Sequence, residues 1–593
     1  MLLTSRGAAS VIAVLSFCTL SFAQTLNETS GTGSGVRITS GDFNTFYGDS
    51  TGSNVTSGSQ NTFMGYQAGR SNTTSELVAI GYQSGYTNTT GFDNTFVGSQ
   101  SGRLNERGGD NTFVGTESGE NNTTGYDNAF LGEESGTLNT TGYENTFIGE
   151  DAGFSNTTGY KNTFVGNEAG ISSGTGYRNT AVGSEAMSDV QIGHHNTAVG
   201  DSSGIDVNRG VYNTFIGAAS GVATEHADFN TFVGARSGWD NNRTNSTTNA
   251  NRNTYVGYEA GFSNREGEDN VGMGAFSDFD NTIRSRCTFI GANITPSQND
   301  VIALGYSIFS DGQFSITIGN ESDVRSQGAI SIGHDTDIDN SASVNSVLIG
   351  RQGSMDQSSS VGIGHLTDVD NTQAVALGAQ TAVSGDQSIA IGATASVTGT
   401  NSIAIGFGSN LAASNEVFLG NVSTVSIGGS VNWTATSDGR VKTAVKEDVP
   451  GLDFIGKLRP VTYHMDAEAL LALHGQNLPK PLEAGAKKKS ETRYSGFIAQ
   501  EVLQAAEDLG YDFSGVKVPE GEKDAYGLRY AEFVVPLVKA MQELTKKVEE
   551  QETIISQQEE ELHSYEAALG NLLDRVRALE DTQAEASSSN GPF

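Results

Sequence analysis

The chain has 593 residues, of which 75 are glycine and only 17% are charged, and its formal net charge is −35. Such a composition suits thin, regular coils of chain better than several thick globular cores. A charge this negative disfavours nucleic acid and anionic membranes as partners, and it indicates a soluble surface that repels itself.

The first 23 residues indicate a secretory signal peptide. Arg6 supplies the positive start, residues 11–22 form an apolar segment, and residues 21–23 (Ser-Phe-Ala) form a small-x-small cleavage site. Only Cys287 would remain in the mature chain, so no intrachain disulfide is expected. No later stretch reaches the length of a membrane-spanning helix. We therefore expect a secreted or cell-surface protein.

Glycine recurs behind a short strand-like tetrapeptide for nearly four hundred residues. Steps of almost always 17 residues run through Gly48, Gly65, Gly81, Gly98, Gly115, Gly132, Gly149, Gly166, Gly183, Gly200, Gly217, Gly234, Gly257, Gly274 and Gly291. Steps of mostly 14 residues follow through Gly305, Gly319, Gly333, Gly350, Gly364, Gly378, Gly392, Gly406 and Gly420. No unit this short buries a core alone, so each repeat must be one rung of a solenoid. We expect a leader over 24–43, 17-residue β-roll repeats over 44–290 and 14-residue repeats over 291–430.

The 17-residue unit is clearest over 142–158, where Thr-Phe-Ile-Gly indicates a short strand and Asn-Thr-Thr-Gly a turn. One asparagine per repeat predicts a stacked amide ladder at a bend. Its members are Asn94, Asn111, Asn128, Asn145, Asn162 and Asn179. Frequent Asn-x-Thr triplets match the glycosylation motif, but they recur at the repeat period, so turn chemistry explains them without a sugar.

A column of threonines, one per repeat, has rival interpretations. Threonine arrays on solenoids can bind ice, and carboxylates on stacked rungs can degrade polysaccharide. Each of these threonines stands between Asn and Phe or Ala, with no second Thr two residues on. No pair of acidic residues departs from the repeat as an acid–base couple would. The Gly-Gly-x-Gly-x-Asp signature of calcium-binding rolls is absent. These features disfavour both activities and predict neither a metal site nor a cofactor.

The 14-residue repeats carry a family resemblance. Residues 388–406 (Ser-Ile-Ala-Ile-Gly-Ala-Thr-Ala-Ser-Val-Thr-Gly-Thr-Asn-Ser-Ile-Ala-Ile-Gly) closely resemble the head repeats of YadA-like trimeric adhesins. The likeness is tight over 374–420 and looser from Cys287 onward. It implies left-handed parallel β-rolls in a homotrimer, each burying its flank against the other two. The Asn-Thr-Phe section looks like a longer-rung variant of the same design.

Proline and lysine mark a change of character near residues 431–437, since both become common only from Lys442 onward. Four motifs follow in order: 434–442 (Thr-Ala-Thr-Ser-Asp-Gly-Arg-Val-Lys), 452–463 (Leu-Asp-Phe-Ile-Gly-Lys-Leu-Arg-Pro-Val-Thr-Tyr), 494–502 (Tyr-Ser-Gly-Phe-Ile-Ala-Gln-Glu-Val) and 526–530 (Tyr-Gly-Leu-Arg-Tyr). Each is weak alone. In this order and spacing they strongly resemble the endosialidase-type intramolecular chaperone, a self-cleaving domain of phage tailspikes and secreted fibres.

The chaperone resemblance covers about 437–544 and implies a small α+β domain over 437–540. It also implies self-cleavage between Thr436 and Ser437, with Ser437 as nucleophile and Lys442 as base. Serine needs a base within hydrogen-bond reach, and lysine can serve only where burial lowers its pKa. Burial in an assembled trimer could therefore gate the cut. The alternative without catalysis is that Ser437 belongs to a capped turn and Lys442 is a solvated lysine.

The end of the chain predicts a coiled coil. Apolar residues keep 3–4 spacing over about six heptads within 541–582, and a disordered tail over 583–593 would follow. The seam consists of Met541, Leu544, Val548, Gln551, Ile555, Gln558, Leu562, Tyr565, Leu569, Leu572, Val576 and Leu579. Residues 478–493, with three consecutive lysines, suggest an exposed polar loop.

Together these features predict a mainly β, secreted homotrimeric fibre or adhesin-like protein. Its chaperone domain would template trimerisation and then release itself. The implied activity is a single-turnover Ser–Lys self-cleaving peptidase, with no turnover activity in the shaft. A cell-surface or glycan ligand is compatible with this class. Two alternatives stay open: a non-cleaving fibre with a permanent trimeric cap, and a glycan-active tailspike-like enzyme.

Overall fold

The computed structural model describes residues 27–280, 283–339, 341, 343–474, 477–519, 521 and 524–588. They form two compact units, one ending at Ile403 and the other beginning at Ala404. The predicted signal segment, 1–23, lies outside the described residues.

The first unit is a parallel β-solenoid, so the predicted mainly β fold is confirmed. Each strand pairs in register with the equivalent strand one turn later, as Phe147 does with Phe164. The 17-residue turns contribute one three-residue strand each: Glu28–Ser30, Thr45–Tyr47, Thr62–Met64, Val78–Ile80, Thr95–Val97, Thr112–Val114, Ala129–Leu131, Thr146–Ile148, Thr163–Val165, Thr180–Val182, Thr197–Val199, Thr214–Ile216, Thr231–Val233, Thr254–Val256 and Val271–Met273.

The 14-residue turns are built differently, because most have two strands. The first strands are Thr288–Pro296, Ile302–Ser310, Ile316–Asn320, Ile330–His334, Val347–Arg351, Val361–His365, Val375–Leu377, Ile389–Ile391 and Ile403–Ile405. The second strands are Asp323–Val324, Asp337–Ile338, Ser354–Met355, Asp368–Val369, Ala382–Val383 and Ser396–Val397.

A column of aromatic rings fills the interior of the wider turns. Phe113, Phe130, Phe147 and Phe164 are fully buried, and successive ring centroids stack 4.7–5.0 Å apart. This distance matches the spacing of neighbouring strands, so register alone brings each ring onto the next. The strand residues on either side of each phenylalanine are more exposed.

The predicted asparagine ladder is confirmed. The Asn128 backbone N–H donates to Asn111 Oδ1 at 3.1 Å, and Asn128 Nδ2 donates to the Gly142 carbonyl at 2.9 Å. These buried side chains replace the hydrogen bonds that water would otherwise make with the turning backbone.

A second amide column contains asparagines of the Asn-x-Thr triplets. Asn122 Nδ2 donates to Asn105 Oδ1 at 2.6 Å, and Asn139 Nδ2 donates to Asn122 Oδ1 at 2.7 Å. Asn156 continues the column. All of these side chains are fully buried. Their amides therefore serve the turn, which supports turn chemistry as the reason for the triplets.

The interior narrows where the period shortens. Cys287 takes the place of the next ladder asparagine, and its backbone N–H donates to Asn270 Oδ1 at 2.9 Å. After Phe289 the interior strand position holds Ala303 and Thr317, both fully buried. A turn that is three residues shorter encloses less space, so small side chains replace rings.

The second unit begins with the strands Asn410–Leu411 and Val417–Leu419. Its helices are α1 (Leu452–Ile455), α2 (Ala467–Leu473), α3 (Glu483–Glu491), α4 (Ala499–Glu507) and α5 (Val534–Ser588). Val461–His464 pairs antiparallel with Arg493–Gly496, and Val516–Lys517 pairs antiparallel with Gly527–Leu528. Single 3₁₀ turns lie at Gly439–Val441, Lys480–Leu482 and Tyr530–Phe533.

The core of the second unit is small and partly aromatic. Phe454, Val502, Phe513 and Phe533 are buried, and Phe454 meets Phe513 edge to face with centroids 5.1 Å apart. None of the helices in the described residues combines the length and apolarity that a membrane crossing needs.

The predicted loop over 478–493 is wrong, because α3 occupies most of it. Leu482 and Ala486 are buried against α2 residues such as Leu471. The polar composition concealed this helix, since Ala486 is its one buried residue and Leu482 lies in the turn before it. The three lysines are compatible with a helix because lysine is a good helix former.

The interior column supplies a stability test. Phe147→Ala should lower the free energy of unfolding by about 3–5 kcal/mol per chain, through lost burial and the cavity left behind. Thermal unfolding of purified shaft, followed by circular dichroism, measures the change.

A second substitution makes the test specific to packing. Gly153 faces the Phe147 ring, which a Cβ would meet at 2.6 Å. In the turn where Ala181 replaces the phenylalanine, the position equivalent to Gly153 holds Met187, fully buried with φ of 49°. Gly153→Met alone should therefore destabilise the shaft, whereas combined with Phe147→Ala it should restore part of the loss. Simple additivity of the two losses would contradict this size complementarity.

Clustered carboxylates predict that mild acid stabilises the shaft. Burial, then Glu225 and Asp189, raises the pKa of Asp206 to about 6 from an ordinary value of 3.8. Burial, then Asp339 and Asp323, raises the pKa of Asp337 to about 6. Because the folded chain binds these protons more tightly, their contribution to stability is lost as pH rises from about 4 through 6. The unfolding temperature should be higher at pH 5.5 than at pH 7.5, and Asp206→Asn should reduce that difference. An unfolding temperature that rises with pH over this range, or an unchanged difference in Asp206→Asn, would contradict the assignment.

Candidate self-cleavage site

The predicted cleavage point lies in an extended, exposed stretch of chain. Every residue from 425 to 437 is exposed. Immediately after it, the 3₁₀ turn Gly439–Val441 begins behind Asp438, whose side chain accepts a hydrogen bond from the Arg440 backbone N–H at 2.9 Å. An acidic residue capping a turn is local chemistry and needs no tertiary support.

This turn brings the two predicted site residues together. Lys442 Nζ donates to Ser437 Oγ at 2.7 Å. The Lys442 backbone N–H closes the turn on the Gly439 carbonyl at 3.3 Å. A separation of five residues around one tight turn is therefore enough to join hydroxyl and amine. A nucleophile within hydrogen-bond reach of an amine is the arrangement that a Ser–Lys dyad requires.

Asp438 and Arg440 form their own ion pair on the other side of the turn. Arg440 Nη2 lies 2.5 Å from Asp438 Oδ2. The hydrogen bonds from the Arg440 side chain and backbone hold the pKa of Asp438 below its usual range. Both residues bond to each other, so their contribution is to shape the turn that carries the dyad.

The two residues of the predicted dyad lie at the surface. Ser437 and Lys442 are both exposed. Large apolar side chains flank it without cover, with Val431 83% and Trp433 87% exposed. An exposed tryptophan costs hydrophobic free energy unless something else covers it. Trp433 was not predicted as part of this surface, although an aromatic residue between two polar neighbours is a sequence signal for one.

The other chaperone motifs build the fold of the domain. Arg459 Nε donates to Glu501 Oε2 at 3.0 Å and joins the second motif to α4. The Phe497 backbone N–H donates to the Tyr530 hydroxyl at 3.2 Å, and the Phe497 ring stacks on Phe533 with centroids 5.4 Å apart. These contacts join the second, third and fourth motifs within one domain.

Helix α5 carries the predicted seam on its surface. Its first turns pack on α1, where Glu543 Oε2 accepts a hydrogen bond from the Leu452 backbone N–H at 2.7 Å. Farther along, the apolar seam residues Ile555, Leu562 and Leu569 are all more than half exposed. A helix of 55 residues with an exposed apolar stripe is typical of a partner-binding helix.

Comparison with known families agrees with this arrangement. Residues 437–511 match the family described as Chaperone of endosialidase. Two copies of the YadA head domain repeat match residues 370–395 and 384–409. No curated protein matches the chain. Head repeats thus precede a carboxyl-terminal chaperone domain, and the first residue of the chaperone match is Ser437.

Proposed function

We propose that this protein is an exported homotrimeric fibre of the adhesin type, and that its chaperone domain cuts itself off after assembly. The observation that carries the proposal is the hydrogen bond between Ser437 and Lys442, at the first residue of the chaperone match. The head repeats and the β-solenoid fit a trimeric fibre, and adhesin repeats of this kind indicate a surface or extracellular location.

Exposed apolar surface supports the trimer. In the 17-residue turns, the residue after each buried phenylalanine is apolar and faces outward, as Leu131, Ile148 and Ile216 do. In the 14-residue turns, apolar residues such as Ile302 and Leu304 flank the buried position on both sides. The exposed seam of α5 adds a third such surface. Three copies wrapped together would bury all of them.

The proposed chemistry is an acyl transfer followed by hydrolysis. Ser437 Oγ attacks the Thr436 carbonyl carbon while the Lys442 amine takes the hydroxyl proton. The Thr436–Ser437 C–N bond breaks, its nitrogen is protonated, and an ester links Thr436 to Ser437 Oγ. Water then hydrolyses the ester, leaving a carboxylate on Thr436 and residues 437–593 as a separate fragment.

Assembly is the proposed trigger. Free lysine has a pKa of about 10.4, so an amine in water at neutral pH is protonated and cannot act as a base. Cover from neighbouring copies, over Val431, Trp433 and the dyad, would exclude water and favour the neutral amine. Cleavage would then report correct assembly, and loss of the template would leave the shaft kinetically trapped.

Substitution of the dyad tests the cleavage. Wild-type chain should give two bands on a denaturing gel, and Ser437→Ala should give only full-length chain. Lys442→Arg should also stay intact, because guanidinium keeps the charge but does not deprotonate in proteins. The matched control, Lys446→Arg, should cleave like wild type. Identical full-length bands for wild type and Ser437→Ala would instead favour the permanent trimeric cap.

Substitution of the α5 seam tests the trigger. Ile555→Asp with Leu562→Asp puts charges into the proposed trimer core, so the chain should sediment as a monomer and stay uncut. The control changes the adjacent outward residues, Ser556→Asp with His563→Asp, and should be trimeric and cut. A monomeric seam variant that still cleaves at the wild-type rate would rule out gating by assembly.

A further inference from the structure

We infer that the fragment 437–593 carries a binding site for the segment 407–424, so that cleavage alone does not separate the two products. This inference rests on the proposed cleavage, because it concerns what holds the products afterwards. The residues on one side of the contact precede the scissile bond, and their partners follow it. The exposed stretch 425–437 lies between them in the chain.

The bound element is a tight turn that is stabilised by its own hydrogen bonds. The Ser423 backbone N–H donates to Asn421 Oδ1 at 2.8 Å, and the Thr424 backbone N–H donates to the Asn421 carbonyl at 3.0 Å. Asn421 Nδ2 donates to the Phe407 carbonyl at 2.5 Å. The turn is thus preformed, which lowers the entropy cost of binding.

Val422 at the tip of this turn enters an apolar pocket on the fragment side. It is 9% exposed and clusters with Ala467 and Leu471 of α2 and with Leu482 and Ala486. Phe407 packs against the same cluster. Ser423 Oγ donates to the Leu482 carbonyl at 2.7 Å and orients the turn over the pocket.

Gly485 of α3 permits this approach. A Cβ at Gly485 would lie 2.4 Å from Ser423 Cβ, closer than two carbon atoms can stand. Glycine inside a helix costs about 1 kcal/mol relative to alanine. The helix therefore carries an unfavourable residue at the point where the turn docks on it.

An ion-pair cluster adds a second point of attachment. Lys517 Nζ lies 3.0 Å from Glu416 Oε2 and 3.3 Å from Asp524 Oδ1. Glu416 precedes the scissile bond, whereas Lys517 and Asp524 follow it. The site thus recognises a polypeptide turn with an apolar tip and a carboxylate upstream of it.

The test uses full-length chain that an added protease cuts, so that binding of the fragment to the shaft is measured independently of self-cleavage. In the Ser437→Ala background, a recognition sequence for a site-specific protease is inserted between the exposed residues Gly428 and Gly429. After proteolysis, size-exclusion chromatography at micromolar concentration measures the fraction of fragment that elutes with the shaft. We expect the two products to co-elute.

Gly485→Ala provides the discriminating variant. It should strengthen α3 itself but clash with Ser423, and we expect the dissociation constant to rise on the order of tenfold. The matched control is Gly570→Ala, also inside a helix, where a Cβ would meet nothing within 4 Å. It should leave retention unchanged. The helix content of each variant, from circular dichroism, checks that the fragment stays folded.

Charge reversal tests the ion pair between Lys517 and Glu416 independently of Gly485. Lys517→Glu should weaken retention, and adding Glu416→Lys should recover part of it. Immediate separation of the wild-type products, or retention in Gly485→Ala equal to wild type, would overturn the inference. Failure of wild-type chain to cut itself, with retention after the inserted cut, would overturn the proposed cleavage and leave this site standing.

Discussion

In-register stacking of one turn on the next is the constraint on which the shaft depends. Each side chain lies directly over the equivalent side chain of its neighbour, as Phe147 does over Phe164 with centroids 5.0 Å apart. A residue suited to one turn is therefore suited to neighbouring turns of the same width, which favours repetition. The same stacking converts single asparagines into the continuous ladder of Asn111, Asn128 and Asn145.

Stacking pairs each strand with the next along the axis of the shaft, but it leaves apolar side chains exposed on the flanks. A turn of 14 or 17 residues is too thin to bury both faces of its strands, so residues such as Ile148 and Ile302 stay substantially exposed. The outward faces become more apolar where the turn shortens, because threonine before the buried position gives way to isoleucine or valine. Burial by further copies of the chain would cover these flanks. The exposed apolar seam of α5 favours the same kind of association.

The proposed site has a local part, which one chain forms, and a second part that assembly would supply. The turn behind Asp438 joins Ser437 to Lys442 with contacts no more than five residues apart. In the proposed mechanism the amine must be neutral to act as a base, and cover by neighbouring copies would favour that form. Separation of the proposed products would be a further step, and the contacts of Val422 and Lys517 would bear on that step alone.

The sequence by itself determined the period, the in-register ladder of Asn94 to Asn179 and the pairing of Ser437 with Lys442. The period and the ladder rest on exact repetition, which a linear chain records directly, whereas the Ser437–Lys442 pair was predicted from the resemblance to the endosialidase-type chaperone. Only the tertiary structure decided that α3 is a helix, that Met187 is buried in the turn that carries Ala181, and that Gly485 lies against Ser423. The docking contact joins Ser423 to Leu482 across 59 residues, and its geometry depends on the path of everything between them. Composition favoured a loop at α3 because its one buried side chain, Ala486, is too little to produce a helical period.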